Sequence, residues 1–143
     1  MNQNAVITEV SWSSHSDILM ALRMRVFVQE QGIALDDEVD PNDAQHRHFL
    51  AFADSAEAVG CGRMTAQGQI GRMAVLPAHR RKGIGAELLS HIVQVAAASG
   101  AHCVFLHAQV DAESFYAKQG FTDTGKTFME AGITHVTMRR ALG

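Results

Sequence analysis

Hydrophobic positions recur along the chain with two spacings, one typical of helices and one typical of strands. Apolar residues at fourfold spacing predict two longer helices, and a short stretch closed by glycine predicts a third. The predicted helices cover residues 14–29, 84–99 and 111–119. Short apolar runs between turn residues predict strands at 5–10, 47–53, 58–65, 69–76, 103–108 and 133–140. The pattern therefore describes a chain that mixes strands with helices.

The first helix has signals at both ends. Ser14, followed three residues later by Asp17, resembles a capping box that opens it, and Gly32 is expected to close it. The next segment, 33–46, holds five acidic residues and one proline without a hydrophobic period. We expect a loop or a short irregular helix there.

The segment 69–108 is predicted as strand, helix and strand. Such a unit places its two strands parallel through a right-handed crossover. The second strand, Cys103–Ala108, is almost continuously apolar, as expected where both faces of a sheet are covered.

The turn that opens the central helix has the composition of a phosphate-binding site. Gly83 and Gly85 let the backbone approach a ligand closely, and the first N–H groups of the helix have no partner of their own. Those donors and the positive end of the helix dipole suit a pyrophosphate. Arg80, Arg81 and Lys82 add positive charge beside them. The alternative interpretation is an ordinary surface loop and helix N-terminus.

The spacing of these glycines decides which family the turn resembles. A dinucleotide-binding turn needs a third glycine where this chain has Leu88, so that class is excluded. The sequence Val75-x-Pro77-x-x-Arg80-x-x-Gly83-x-Gly85 instead resembles motif A of the GNAT (Gcn5-related N-acetyltransferase) superfamily. The resemblance implies acetyl-CoA as cofactor, with backbone N–H groups of residues 81–86 holding the pyrophosphate. The cofactor-binding residues it implies are Met73, Ala74, Val75, Arg80, Arg81, Lys82, Gly83, Ile84, Gly85, Ala86, Gln109 and Tyr116.

A second motif of the same superfamily follows the strand at 103–108. It is Phe115-Tyr116-x-x-x-Gly120-Phe121. The resemblance covers nearly the whole chain and implies one α/β domain over residues 1–143. It also implies the GNAT fold, a mixed, mostly antiparallel central sheet with a splayed parallel strand pair and flanking helices. The pantetheine arm is then expected in the wedge between the splayed strands, beside the backbone of 73–75.

One further motif is set aside. Residues 120–127 satisfy the P-loop pattern G-x-x-x-x-G-K-[ST] letter for letter. A P-loop requires a buried strand before it and a helix after it, whereas here a helix with its own stop precedes it. We therefore interpret this stretch as a turn.

The resemblance implies direct transfer of acetyl to an amine. An alkylammonium has a pKa of ~10.4, so the reaction needs a base, and the leaving thiolate needs an acid. Tyr116 is the residue that matches the acid of the family, with packing of its ring as the alternative role. His135 is the candidate base because the tail resembles that of glyphosate acetyltransferase-type enzymes, and strand alternation places it either in the cleft or in solvent. Glu30 and Glu130 are weaker candidates.

Three residues are candidates for contact with the acceptor substrate. Arg72 interrupts an apolar strand, and the same subgroup carries an arginine there that binds an anionic group; pairing with an internal acid such as Asp40 is the alternative. Arg25 is a second candidate for the same pocket. His107, at the end of its strand, is the second candidate for the base or a structural histidine.

The N-terminal half is similar to the ElaA/YjcF-like branch of GNAT proteins, and it also shares features with acyl-homoserine-lactone synthases. The residues that carry the similarity are 22–32, 38–43, 48–50 and 59–63. His46 and His48 share a strand face with Asp43 nearby, but without further ligands at diagnostic spacing we predict no metal site.

Composition narrows the remaining classes. A net charge of −3 excludes a nucleic-acid binder with a large basic field. Two cysteines, Cys61 and Cys103, in apolar surroundings indicate reduced thiols in a cytoplasmic protein. Since no run of 18 apolar residues appears, we expect no membrane span and no membrane partner. Two hypotheses remain: an N-acetyltransferase for a small-molecule or peptide amine, or a module that binds acyl-CoA without turnover. GNAT proteins often pair, so a homodimer is also considered.

Overall fold

The computed structural model describes residues 5–143. The strands are β1 Val6–Val10, β2 Arg47–Phe52, β3 Ala58–Met64, β4 Gln69–Val75, β5 Cys103–Gln109, β6 Thr122–Glu130 and β7 Ile133–Ala141. The α-helices are α1 Trp12–Arg23, α2 Leu35–Glu38, α3 Ile84–Ala98 and α4 Glu113–Lys118. A π-helical segment, Met24–Glu30, continues α1, and none of the helices described is long and apolar enough to cross a bilayer.

The strands form one sheet in the order β1-β2-β3-β4-β5-β7-β6. Every neighbouring pair is antiparallel except β4 and β5, which the crossover through α3 makes parallel. That parallel pair is bonded in register only at Gln69–Phe105 and Ile70–Leu106, although both strands continue beyond those residues. The predicted mixed sheet with a splayed parallel pair is confirmed.

Helices cover the two faces of this sheet and produce two apolar clusters. Side chains alternate along β2, so that Phe49 packs with Leu88 and Ile92 of α3. Its neighbour Leu50 packs with Leu22 of α1 on the opposite face. All of these side chains are buried, so the sheet is fixed from both sides and the wedge between β4 and β5 opens from a rigid frame.

The predicted start and course of the first helix are corrected by the structure. The N-cap is Ser11, whose side chain accepts a hydrogen bond from the Ser14 N–H, so the helix begins three residues earlier than the Ser14–Asp17 pattern indicates. The α-helix ends at Arg23 and the wider π-helical turns carry the chain to Glu30. Apolar side chains are still buried along both parts, which is why hydrophobic spacing alone does not reveal the change of helix type.

The prediction that 120–127 is a turn is wrong. Strand β6 begins at Thr122 and pairs antiparallel with β7, with a shift of register between Asp123 and Thr127. β6 is an edge strand whose residues are exposed except for the half-buried Phe128. An edge strand exposed on both faces has no alternation of apolar and polar residues, so the sequence lacked the usual signal for it.

Candidate active site

The wedge between β4 and β5 contains a cleft of about 430 Å³. It begins where the pairing of the two strands ends, and its outer walls come from the π-helical segment, α2, α4 and the hairpin of β6 and β7. Six of the predicted site residues line it together: Arg72, Met73, His107, Gln109, Tyr116 and His135. The cleft therefore brings together side chains from β4, β5, α4 and β7.

A β-bulge in β4 shapes the inner wall of this cleft. Cys61 pairs with Ala74 and Arg63 with Gly71, so that Gly62 of β3 faces two residues of β4. The extra residue places Arg72 at a φ of 50° and lets the consecutive residues Arg72 and Met73 both line the cleft. A Cβ on Gly62 would lie 2.7 Å from Met73 Sδ and 2.7 Å from Ile92 Cδ1, so a larger residue there would make the ends of both side chains shift.

The turn before α3 leaves backbone donors free for an anion. Gly83 has φ 85° and ψ 3°, the left-handed conformation, and no side chain of the described residues caps the helix there. The first backbone bond of the helix runs from the Glu87 N–H to the Gly83 carbonyl, 3.0 Å apart. The preceding N–H groups of the first turn therefore have no intrahelical partner, and the turn fits a phosphate group.

Of the three basic residues beside this turn, one is already paired. Both terminal nitrogens of Arg80 donate to the carboxylate of Glu30 at 2.6 Å, and its Nε donates to the Val75 carbonyl at 2.9 Å. The hydrogen bonds from Arg80 lower the pKa of Glu30, and those to Glu30 raise the pKa of Arg80. Arg81 and Lys82 form no ion pair within residues 5–143 and stay available for a ligand.

The residue after Glu30 makes a second bridge. Gln109 Nε2, at the end of β5, donates to Gln31 Oε1 at 2.9 Å. Glu30 and Gln31 thus connect the end of the π-helical segment to both arms of the wedge, Arg80 after β4 and Gln109 on β5. The partners are 50 and 78 residues apart in the chain, and no pattern in the sequence indicates either contact.

The ring of Tyr116 makes the packing contacts that were the alternative role for this residue, and the residue also reaches the cleft. Its ring packs edge-on against Phe115 and Phe121, with centroids 5.1 and 6.2 Å away, and the residue also lines the cleft. Burial raises the pKa of Tyr116 to about 12. The phenol is therefore protonated, and able to donate a hydrogen bond, near neutral pH.

His135 lies in the cleft wall and is only 7% exposed. Its Nδ1 is 2.7 Å from the Ile133 carbonyl, which can only accept, so Nδ1 carries the proton of the neutral ring and Nε2 keeps a lone pair. The ring stacks on Phe128 at 5.7 Å and 19°. Glu130 Oε2 lies 3.9 Å from Nε2. The histidine is thus held in a fixed orientation with one free basic nitrogen.

His107 is placed between two walls of the same cleft. Its ring meets Phe128 edge-on at 4.8 Å, and its Nδ1 is 3.4 Å from Gln69 Nε2. The residue lines the cleft beside Gln109 and His135.

Residues 24–142 match the acetyltransferase (GNAT) domain. The chain belongs to the GNAT acetyltransferase family. Family members transfer acyl groups from acyl-CoA, so the protein is an acyltransferase.

Relatives place the chain within the family. The uncharacterised N-acetyltransferase YjcF of Bacillus subtilis is 33% identical over 83% of this chain and 87% of its own length. ElaA of Escherichia coli is 30% identical over 85% of this chain and 84% of its own, and its crystal structure matches with a TM-score of 0.84. An acyl-CoA N-acyltransferase from Pseudomonas aeruginosa matches at 28% identity and a TM-score of 0.85, over 96% of this chain and 100% of that one. The predicted ElaA/YjcF-like branch is confirmed.

A largely buried ionic cluster lies beside this GNAT cleft. It contains three arginines and three carboxylates, Arg23, Arg63, Arg72, Glu38, Asp40 and Asp43. Arg23 donates to Glu38 and lies 3.0 Å from Asp43 Oδ2. Arg63 Nη1 reaches Asp40 at 2.9 Å and Asp43 at 3.1 Å. The formal charges balance within the cluster, which fixes the loop 35–46 against β3 and β4.

Arg72 has an internal partner, which is the alternative considered for it, but the partner is Glu38 and not Asp40. Its Nε lies 3.3 Å from Glu38 Oε2, and its Nη2 donates to the Glu38 carbonyl at 3.2 Å. Asp40 pairs with Arg63. The side chain of Arg72 is still 26% exposed and lines the cleft, so it can contact a ligand as well.

Arg25 is not brought into the cleft. It is exposed and absent from the lining, whereas Arg23 is fully buried at the ionic cluster. The sequence contained a signal for the burial of Arg23, because this residue lies four residues after Leu19 and three before Val26, on the apolar face of the helix. A charged residue in that position must find buried partners, and the acids of 33–46 supply them.

His46 and His48 have separate surroundings. His48 lies in β2, is 1% exposed, and its Nε2 donates to the Asp43 carbonyl at 2.7 Å. His46 precedes the strand and pairs with Asp40 at 3.2 Å. Across residues 5–143, no group of three or more possible metal ligands is gathered in one place.

Proposed function

We propose that this chain transfers the acetyl group of acetyl-CoA directly to the amine of a small molecule or peptide. The observation that supports the proposal most is the arrangement in one cleft of a free His135 nitrogen and a neutral Tyr116 phenol. Family membership supplies the reaction class, and these two side chains supply the proton handling that the reaction needs.

The residues around the wedge fit coenzyme A. We infer that N–H groups of 81–86 hold the pyrophosphate, because Gly83 is left-handed and no described side chain competes for these donors. Arg81 and Lys82 add charge at this point. The backbone of 73–75 would pair with the pantetheine arm, because β4 has lost its β5 partner there. When bound, the cofactor supplies the acyl thioester.

His135 would take the proton of the acceptor amine. An alkylammonium has a pKa of ~10.4, so at pH 7 only about one molecule in a few thousand carries the free lone pair that can attack. An imidazole nitrogen with a pKa of ~6.5 accepts a proton near neutrality. Nε2 suits this task because the Ile133 carbonyl holds the other nitrogen as the donor.

Tyr116 would stabilise the departing sulfur. A thiol has a pKa of ~8.5, well below the value of about 12 for this phenol, so the phenol is the weaker acid. It therefore donates a hydrogen bond to the thiolate and keeps its proton. A phenylalanine in its place keeps the packing against Phe115 and Phe121 and removes this donor.

The test measures release of the coenzyme A thiol across a panel of amines, corrected for hydrolysis. We expect Tyr116→Phe to lower kcat about 100-fold, a typical cost of removing one hydrogen-bond donor to charge that develops in the transition state, with acetyl-CoA affinity unchanged. His135→Ala should lower the rate most at low pH, because the free amine then becomes scarce without a base. Tight acetyl-CoA binding without amine-dependent release from any amine would favour the binding module, and an unchanged pH profile would exclude His135.

A further inference from the structure

We propose that the acceptor is a small aliphatic diamine whose two positive charges are recognised at the cleft, the first by Glu130 beside His135 and the second by Asp37. This inference rests on the proposed function and names the substrate class of the same site. It departs from the expectation of an anionic acceptor that the sequence resemblance gave to Arg72.

The first observation concerns the charged side chains that line the cleft. The formally charged side chains that line it are Asp37, Glu38, Glu130, Arg63 and Arg72, three acids against two bases. Both arginines already have carboxylate partners, Arg63 in Asp40 and Asp43, and Arg72 in Glu38. A substrate carboxylate would have to compete with these internal acids for them.

The two remaining acids are in the opposite situation. Asp37 forms no ion pair or side-chain hydrogen bond within the described part of the chain. Glu130 has only the Nε2 of His135 nearby, at 3.9 Å, and is 55% exposed. Asp37 comes from α2 and Glu130 from the end of β6, so two uncompensated carboxylates reach one cleft from different elements.

A second, independent feature marks this as a ligand position. His135 is more than nine-tenths buried, yet its Nε2 has no hydrogen-bond partner among residues 5–143. Nε2 faces the same side as Glu130, so an ammonium placed between them donates to the histidine and is paired with the carboxylate. Asp37 is then the partner for a second ammonium on the same molecule.

Three compounds of equal length test the assignment: 1,5-diaminopentane, pentylamine and 5-aminopentanoate. They differ only in the group at the far end, which is cationic, neutral or anionic. We expect kcat/KM to fall in that order, with about five- to tenfold between diamine and monoamine, because one partly exposed ion pair contributes about 1 kcal/mol. The reverse order, or equal values, would overturn the inference and favour an anion at Arg72.

Substitutions at the cleft test which residue causes the preference for the diamine. Asp37→Asn should narrow the ratio of diamine to monoamine to about twofold, because it removes charge without changing size. Asp36→Asn is the matched control, since Asp36 is an exposed neighbour that does not line the cleft, and it should leave the ratio unchanged. A ratio that Asp37→Asn leaves intact, or that Asp36→Asn narrows equally, would refute the assignment. Glu130→Gln should lower kcat/KM for diamine and monoamine alike, because both place an ammonium beside His135, and unchanged values would refute the role of Glu130.

Two further outcomes distinguish a failure of the diamine assignment from a failure of the proposed acetyltransferase function. Release of thiol with no amine at all in the panel would overturn the proposed function, and the diamine assignment with it. Release that occurs with every amine but is greatest for a lysine-rich peptide would leave the acetyltransferase intact and overturn the small diamine as its substrate.

Discussion

The two sides of the cleft are built from different parts of the chain. On the side where we propose that coenzyme A binds, the cofactor side, the groups available to a ligand are backbone groups: the left-handed turn at Gly83, the first turn of α3 and the end of β4 that no longer pairs with β5. On the side proposed for the acceptor they are side chains, among them Arg72, which belongs to the ionic cluster of Arg23, Arg63, Arg72, Glu38, Asp40 and Asp43.

This difference has a physical consequence. Backbone donors depend on local conformation, so a short motif is sufficient to specify them. Side-chain positions depend on partners that lie 15 to 34 residues away in the chain, as for Arg23 with Glu38 and Arg72 with Glu38. The cofactor side should therefore be sensitive to changes in backbone conformation, and the acceptor side to loss of a buried charge.

The largest expected effect concerns the acceptor side. Arg23→Met keeps most of the volume and leaves Glu38 and Asp43 short of one buried partner, which should lower the free energy of unfolding by about 3–5 kcal/mol. Urea unfolding measures it. Arg47→Met is the control, because the exposed bidentate pair of Arg47 with Glu9 should contribute at most about 1 kcal/mol. Equal decreases in the free energy of unfolding in both variants would contradict the expectation that the buried ion pairs contribute more than the exposed one.

An intermediate effect is expected at the cofactor side. Gly83→Val forces a β-branched residue into the left-handed region, which costs on the order of 1–3 kcal/mol and should displace the N–H groups of the turn. We expect the Kd for coenzyme A, measured by calorimetry, to rise at least about tenfold.

The matched control for this change is Gly100→Val. Gly100 follows the C-terminal end of α3, has a φ of 89° like that of Gly83, and a Cβ there would meet no atom within 4 Å. Its Kd should stay within about threefold of wild type, a difference of less than 1 kcal/mol. If Gly83→Val binds coenzyme A as tightly as Gly100→Val, the pyrophosphate is not at this turn.

The smallest expected effect is on the pH dependence of stability. Burial lowers the pKa of His48, and the positive charges of Arg23 and Arg63 lower it further. Asp43 opposes this shift but does not reverse it. Because the folded pKa lies below the unfolded one, the unfolded chain binds the proton first. Stability is then complete above ~6.5 and falls below it, by up to about 1.4 kcal/mol per pH unit for this one proton.

Removing the imidazole of His48 should make the free energy of unfolding depend less on pH. His48→Gln keeps a donor for the Asp43 carbonyl and cannot be protonated. Urea unfolding at pH 7.5, 6.5 and 5.5 compares it with wild type and with His102→Gln, which changes an exposed histidine. A slope that survives in His48→Gln would assign the acid sensitivity to another group.

The sequence predicted what short-range patterns encode. Gly83, Gly85 and the Phe115–Phe121 motif led to the family and the splayed sheet, because the fold around them depends on local geometry. The sequence indicated that an internal acid could pair with Arg72, but it did not identify that acid, because any acid of 33–46 satisfied the pattern. The bulge at Arg72 was missed because a one-residue insertion in a strand leaves no mark until the facing strand is known.

The thiol of Cys61 lies behind that bulge, buried between β3 and β4, and donates to the Arg72 carbonyl at 3.4 Å. Burial raises the pKa of Cys61 to about 12. Because the thiol is buried and keeps its proton near neutral pH, disulfide-based dyes should react with it slowly in the native fold. A colorimetric assay of liberated coenzyme A therefore has only the half-buried Cys103 as protein background, at no more than one equivalent per chain.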